Sequence, residues 1–244
     1  INMASSFSTD TKLELIATGE KAGLWGTITN TNLQILEQSA TGYLSQSMAS
    51  GDVTLTLTNG ATSDGKNAFY ELTGTLTGNR TLIMPSGAER SIIVKDSTTR
   101  GSGSTLFSLS VQTASGTSVP IPLGATVAVV SDGTNMKLGL LSKGYGTIDS
   151  ASVTTHIAVA GDQLLTNTTT AGITITLPTS AATGDELTIV DARGTFGSNG
   201  LIINRNGHNI NGSASNLTLS TNGQAITLVY VDSTRGWAFK TNTA

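Results

Sequence analysis

Residues 173–191 read ITITLPTSAATGDELTIVD, and their pattern recurs at residues 80–96, RTLIMPSGAERSIIVKD. In each copy a strand-like run ends at a proline, a polar turn with a glutamate follows, and a second run ends in an aspartate. The matching residues are Pro85, Glu89 and Asp96 in one copy and Pro178, Glu186 and Asp191 in the other. Further along, a nearly all-apolar run leads to Asp132 in one copy and to Asp232 in the other. This shared order predicts an internal duplication.

Strict alternation of apolar and polar residues dominates the chain after residue 50. In VTLTLT, residues 53–58, the apolar residues occupy one face and three threonines the other, which is typical of a half-buried strand. Asn-Gly and Asp-Gly pairs, which suit tight hairpins, separate such runs. The sequence therefore predicts an all-β chain: a short N-terminal segment with one small helix, then two tandem, related antiparallel β-sandwich or barrel modules.

The repeat and the composition shifts divide the chain into four predicted segments. Residues 1–49 form an N-terminal attachment segment, and residues 50–141 form the first β module. Residues 142–150, which are short and rich in glycine and serine, are predicted as a linker. Residues 151–244 form the second β module.

The N-terminal segment contains a stretch, GLWGTITNTNLQILE at residues 23–37, that nothing downstream resembles. The spacing of its apolar residues predicts a helix of about ten residues from Thr31, a length that is marginal by itself in water. Thr29 or Asn30 is the predicted N-cap, and Gly42 fits the position after the C-terminus.

Trp25, one of two tryptophans, precedes the predicted helix in a glycine-rich turn. The segment has too few apolar residues to build a core of its own, so it must pack against something else. Trp25 is either the plug of a small N-terminal subdomain or part of a docking surface for another protein. In the second interpretation, the docking residues are Trp25, Leu33, Ile35 and Leu36.

Composition excludes several classes of function. Charged residues are 12% of the chain, about half the usual share. The net charge is −3 with no basic run, so no nucleic-acid partner is expected. There are no cysteines, which removes disulfides and thiolate chemistry. No apolar run reaches 18 residues, so no membrane insertion is expected.

The sequence contains no pattern that indicates catalysis. Its two histidines, His156 and His208, have no nearby partner for a metal site and are predicted as ordinary surface residues. Asp185 and Glu186 are the closest carboxylate pair, but adjacent strand residues point to opposite faces. We therefore expect no catalytic residues, no metal and no cofactor.

The stretch LELIATGEKAGLWGTITNTNLQILEQSATGY, residues 13–43, resembles the N-terminal segment of tail-fibre-like virion structural proteins of tailed bacteriophages, of the marine or cyanophage type. The resemblance is carried by Gly19, Glu20, Ala22, Gly23, Trp25, Gly26, Thr29, Asn30, Asn32 and Leu33. Both β modules also look like sequence from phage structural proteins, so the resemblance covers nearly the whole chain.

This resemblance implies a homotrimeric fibre or spike, made in the host cytoplasm and built into the virion, with the tail as its expected location. The N-terminal segment would attach to other virion proteins, and the second module could touch a host-surface glycan or protein. Candidate receptor contacts are Phe196 in GTFGSNG, residues 194–200, and Arg205 and His208 in NRNGHNING, residues 204–212. The alternative is that these loops are solvated turns.

Two other functions stay open at the level of sequence. A capsid decoration or head-fibre protein would also need an anchor and a β-rich display region. A glycan-cleaving spike, a third alternative, would need paired carboxylates in a longer scaffold.

Overall fold

The computed structural model describes residues 4–101, 106–142 and 144–243. A short antiparallel hairpin comes first, formed by β1 (Ser6–Phe7) and β2 (Glu14–Leu15). One α-helix follows, α1 (Trp25–Thr41). The predicted segments also include residues 1–3, 102–105, 143 and 244, which lie outside the described residues.

The first half of the fold alternates its strands between two sheets. Its strands are β3 (Tyr43–Ser47), β4 (Val53–Thr54), β5 (Phe69–Thr73), β6 (Arg80–Met84), β7 (Glu89–Asp96), β8 (Leu109–Thr113), β9 (Ser118–Pro120), β10 (Thr126–Asp132) and β11 (Met136–Ser142). The first wide sheet has the order β11-β10-β7-β5-β3, and the first narrow sheet has the order β4-β6-β8-β9. A single turn of 3-10 helix, Asp64–Lys66, precedes β5.

The second half repeats this arrangement strand for strand. Its strands are β12 (Tyr145–Asp149), β13 (Thr155–Ile157), β14 (Gln163–Asn167), β15 (Ile173–Thr176), β16 (Glu186–Asp191), β17 (Leu201–Asn204), β18 (Leu217–Leu219), β19 (Ala225–Asp232) and β20 (Gly236–Thr243). The second wide sheet has the order β12-β14-β16-β19-β20, and the second narrow sheet has the order β13-β15-β17-β18. Each half therefore has the same succession of strands in the same sheets.

The all-β prediction is confirmed, but the prediction of antiparallel sandwich modules is wrong. In each half the first six strands form three coils, each with one strand in either sheet. Strands of successive coils pair in parallel, as β3-β5-β7 and β12-β14-β16 do. Because each strand is followed by one in the other sheet, the chain returns to its own sheet in the same direction, which is a β-solenoid arrangement. Among the described residues of the two halves, the antiparallel strand pairs are those in which β9 to β11 and β18 to β20 close each half.

The residues predicted as a linker also differ from expectation. Residues 145–149 form β12, the first strand of the second wide sheet, which pairs in parallel with β14. The glycines and serines of this stretch suggested a flexible connection, but Gly146 and Ile148 are buried in the alternation of a strand.

Alternation places one face of each wide sheet and of each narrow sheet in a closed core. In the first half, buried side chains from both sheets meet in one cluster, which includes Tyr70, Leu72, Leu82, Val94 and Val111. A second cluster fills the other half.

The two halves meet at a buried junction. Leu123 of the first half belongs to the apolar cluster of the second. Its backbone N–H donates to Asp162 Oδ1 at 3.0 Å. Asp162 Oδ2 also accepts from the N–H of Val159 at 3.0 Å and lies 2.8 Å from His156 Nε2. The prediction that His156 is a surface residue is therefore wrong, because the side chain is buried beside a carboxylate.

The repeated aspartates have the same structural task in both halves. Asp96 ends β7 and accepts a hydrogen bond from Gly124 N at 2.9 Å, and Asp191 ends β16 and accepts one from Gly223 N at 3.0 Å. Both glycines have positive φ, +70° and +77°, and stand just before the next strand of the wide sheet. A side chain at the end of one strand thus fixes the turn that begins its neighbour.

The aspartates at the closing turns are also equivalent. Asp132 accepts from the N–H groups of the second and third residues after it at 3.0 and 2.7 Å. Asp232 does the same at 2.8 and 2.6 Å. These contacts explain why the sequence repeat retains aspartate at these places.

The stability that the hydrogen bonds of Asp191 provide depends on pH. Burial raises the pKa of its carboxyl group, but hydrogen bonds from the backbone N–H groups of Gly223, Phe196, Thr195 and Arg193 lower it more. The net pKa lies below the ordinary value. The charged form therefore stabilises the folded state above the ordinary pKa, and this stabilisation is lost as the pH falls toward the lowered value.

We predict that Asp191→Asn lowers the free energy of unfolding by about 1–3 kcal/mol at pH 7, because an amide cannot accept all these hydrogen bonds. The difference from wild type should shrink as the pH falls below about 3.8, because the carboxyl takes up a proton in the unfolded chain before it does so in the folded protein. Urea unfolding followed by circular dichroism between pH 7 and pH 2.5 measures both effects. Glu37→Gln, on the exposed side of α1, is the control and should change little. If both substitutions changed the free energy of unfolding equally at pH 7, the hydrogen bonds of Asp191 would not stabilise the fold as assigned.

Candidate docking site on the N-terminal helix

One face of α1 is bound to the rest of the chain through side-chain hydrogen bonds. Asn32 Nδ2 donates to the carbonyl of Glu14 at 2.9 Å, and Asn32 Oδ1 accepts from the N–H of Glu14 at 3.0 Å. One turn and a half later, Gln38 Nε2 donates to the carbonyl of Ser63 at 3.0 Å. Ile35 lies between these contacts and is fully buried. The helix is thus fixed along a line that leaves its other side in solvent.

Large apolar side chains occupy the solvent side of the helix. Trp25, Leu33 and Leu36 are 60, 57 and 45% exposed. Trp25 and Leu36 are eleven residues apart, which is close to three turns of 3.6 residues, and Leu33 lies one turn before Leu36. The three side chains therefore form one exposed stripe. We call Trp25, Leu33 and Leu36 the exposed stripe.

The structure separates the four predicted docking residues. Trp25, Leu33 and Leu36 are exposed, but Ile35 is buried against this chain and has no surface to offer a partner. The sequence placed Ile35 beside the leucines. It did not show that a helix of this length has two apolar faces, one toward its own chain and one toward solvent.

The helix is also longer than predicted. It begins at Trp25, not near Thr31, so Trp25 lies in the first turn of the helix. Threonine, isoleucine and asparagine at residues 27–30 are weak helix formers, which made a later start the natural prediction. The hydrogen bonds of Asn32 to Glu14 hold the helix to the N-terminal hairpin, and this tertiary contact outweighs the local propensity.

The candidate receptor contacts have different environments. Phe196 is fully buried in the second core cluster, so its assignment as a surface contact is wrong. Arg205 Nη1 donates to the carbonyl of His208 at 2.9 Å. Nε2 of His208 is 2.8 Å from the carbonyl oxygen of Pro178. The His208 ring lies edge-on to the ring of Tyr230. Arg205 and His208 are half-buried and stabilise their own loop.

Four of the buried ionisable groups form two pairs within the fold. Arg100 Nη2 lies 2.8 Å from Asp96 Oδ2, and both side chains are almost fully buried. His156 and Asp162 form the second buried pair, at the junction of the halves. Within residues 4–101, 106–142 and 144–243, no group of three or more His, Cys, Asp or Glu could hold a metal ion. In the same residues, no helix is long and apolar enough to cross a membrane.

A further set of exposed apolar side chains lies on the outer face of the first wide sheet, and sequence reasoning missed it. Tyr43, Ile93 and Leu140 are 56, 42 and 70% exposed. The signal was the run SIIV, residues 91–94, in which neighbours on opposite faces of a strand are both apolar.

Comparisons with known proteins add little to this description. No protein-family model matches the chain, and no curated protein matches it. Solved structures do give matches, among them one titled "Structure of a chaperone-substrate complex". The sequences are 17% identical, the TM-score is 0.33, and the match covers 81% of this chain and 33% of that chain. The chain thus spans about a third of the length of that structure, and a likeness this weak carries no argument about fold or function.

We predict that Ile35→Ala destabilises the protein by about 2–5 kcal/mol, because it leaves a cavity beneath α1. The matched control is Gln34→Ala, one residue earlier on the exposed side, which should change stability by less than about 0.5 kcal/mol. Chemical denaturation followed by tryptophan fluorescence and circular dichroism measures both. If the two variants unfold at the same denaturant concentration, α1 does not pack through Ile35.

Proposed function

We propose that this chain is a structural protein of a bacteriophage virion, a homotrimeric tail fibre or spike without catalytic activity. Its N-terminal segment attaches to other virion proteins, and its β-rich halves are displayed outward for adhesion to the host surface. It is made in the host cytoplasm and resides in the particle.

The observation that carries this proposal is the exposed stripe on α1. A helix in a monomeric protein normally buries its apolar face and presents polar residues to water. Here Ile35 already satisfies that need, and the three large side chains of the stripe remain in solvent. Burying such a side chain is favourable by about 1.5–3 kcal/mol, so the stripe favours a partner. It lies in the stretch of sequence that resembles the attachment segment of phage tail-fibre-like proteins.

The rest of the chain supports a role in display. Beyond α1 the described residues form stacked coils that antiparallel strands close in each half. The two buried pairs serve the fold itself, since Asp96 and Asp162 each accept backbone hydrogen bonds from turns. The surface is polar with few charges, which suits close packing of identical chains.

The proposed host contact lies in the second half, without Phe196. Arg205 and His208 remain in this proposal, because they lie in the polar loop that follows the end of β17 and are partly exposed. A deletion at the tip of the loop at residues 204–212, made in the particle, tests the proposed host contact separately. The measurement is adsorption of the particles to host cells.

The direct test of the proposed function is to locate the chain on the intact particle. Antibody to this chain, coupled to gold and viewed by electron microscopy, should label the tail. Label on the head would favour a capsid decoration or head-fibre protein, and particles without label would overturn the proposal.

We predict that the double variant Trp25→Ser, Leu36→Ser folds normally and is incorporated into particles at least tenfold less than wild type. Removing two exposed apolar side chains should weaken docking without opening the core. Quantitative mass spectrometry of purified particles measures incorporation, and circular dichroism measures folding. Ile157→Ser removes a similarly exposed side chain in the second half and serves as the control. Normal incorporation of the double variant would exclude the stripe as the anchor.

A further inference from the structure

The pairing register of the first wide sheet aligns apolar side chains across all five strands. Tyr43 pairs with Phe69, Phe69 with Ile93, Ile93 with Ala128, and Ala128 with Leu140. These residues alternate with the buried ones, so they lie on the outer face of the sheet. The rings of Tyr43 and Phe69 are stacked, with centroids 5.4 Å apart. We call these five residues the apolar row.

The second half provides an internal comparison for this feature. At the same register of the second wide sheet, Tyr145 pairs with Gln163, and the row continues through Thr188, Thr227 and Thr241. Thr188 and Thr227 bond each other through their hydroxyl groups at 3.0 Å. Tyrosine thus begins both rows, and the next four residues are apolar in the first half but polar in the second. The fold therefore does not require apolar residues at these positions.

The neighbouring row of the first wide sheet has no unbalanced charge. Glu71 and Lys95 pair across β5 and β7, and their charged atoms are 2.9 Å apart. The Tyr43 hydroxyl also donates to Glu71, and hydrogen bonds from Tyr43, Ser97 and Lys95 lower the pKa of this carboxyl to about 2. The carboxylate therefore stays charged and paired at physiological pH. The apolar row and its neighbouring residues therefore offer no net charge that could attract a charged partner. They fit a partner surface that is itself apolar and nearly neutral.

The apolar row follows α1 directly along the chain. Tyr43 is the second residue after the end of the helix, so the row begins where the segment with the exposed stripe ends. The stripe has only three large side chains. A standard interface buries roughly 800 Å² on each partner, more than three partly exposed side chains can supply. Tyr43, Ile93 and Leu140 provide a second exposed apolar surface, which crosses the width of the sheet.

We propose that the apolar row is a self-association surface, covered by neighbouring copies of this chain around a common axis. This inference rests on the proposed trimer and names the surface that forms it. Three identical chains can each turn the same face toward a common three-fold axis, where the edge of one face packs against the edge of the next. An apolar row whose neighbouring Glu71 and Lys95 neutralise each other brings no like charges together in that arrangement. The second wide sheet, with its threonine row, stays in solvent.

The first test replaces the row with the residues of the other sheet. Ile93→Thr with Leu140→Thr installs the threonines found at Thr188 and Thr241, so the strand propensity is kept. The measurement is molar mass by light scattering and sedimentation over a hundredfold concentration range. Wild type should be trimeric, and the double variant should dissociate at concentrations at least tenfold higher. The control Ile157→Thr should associate like wild type.

The second test does not depend on a destabilising substitution. Because the chain has no cysteine, a single introduced cysteine reacts with a bis-maleimide only at the chosen place. One variant is Ser91→Cys, at a position beside the apolar row on β7. The other is Thr147→Cys, at a position on the outer face of β12. Cross-linking between chains should be efficient at position 91 and weak at position 147. Equal cross-linking at both positions, or none at position 91, would overturn the inference.

The outcomes also separate this inference from the proposed function. If wild type is a monomer throughout, or if the row variant associates like wild type, the inference is wrong, and labelling of particles still decides the virion role. If the row variant dissociates but no particle carries the chain, the row stands as a self-association surface and the proposed function fails.

Discussion

The fold depends on one constraint, that each strand can bury only one of its two faces and must find a sheet opposite to bury it against. Successive strands meet this constraint by alternating between a wide and a narrow sheet, so that every coil adds side chains to a core between them. A single coil could not exclude water from Leu72 or Val94, and stacked coils can. The aspartates at the ends of β7 and β16 depend on the same stacking, since each holds the turn before the next strand.

Two surfaces of the chain depart from what burial alone would select. The exposed stripe of α1 and the apolar row of the first wide sheet both consist of large apolar residues in water, although the fold has closed its cores without them. The second half shows that the same scaffold accepts threonine at equivalent positions. The apolar row is therefore a difference between the halves that the fold itself does not require.

Some of this could be predicted from sequence. Alternation with threonine identified the strands, and the repeated order of proline, glutamate and aspartate identified the duplication, because those aspartates make the same backbone contacts in both halves. The parallel pairing could not be predicted, since a period of two shows which face a residue occupies but not which strand lies beside it. Phe196 and His156 were assigned to the surface because glycine-rich or polar neighbours surround them in sequence, whereas their burial depends on distant residues such as Leu219 and Asp162. The burial of Ile35 could not be predicted without knowing what lies beneath the helix. The apolar row could not be predicted without knowing the pairing register of five strands.

The junction between the halves has a mechanical consequence. Leu123 inserts its side chain into the core of the second half while its backbone is bonded to the buried carboxylate of Asp162. Bending one half against the other would have to pull an apolar side chain into water and take from the Asp162 carboxylate the donor that Leu123 supplies. A force that bends one half against the other is therefore resisted by packing at this junction and is not absorbed by a slack hinge.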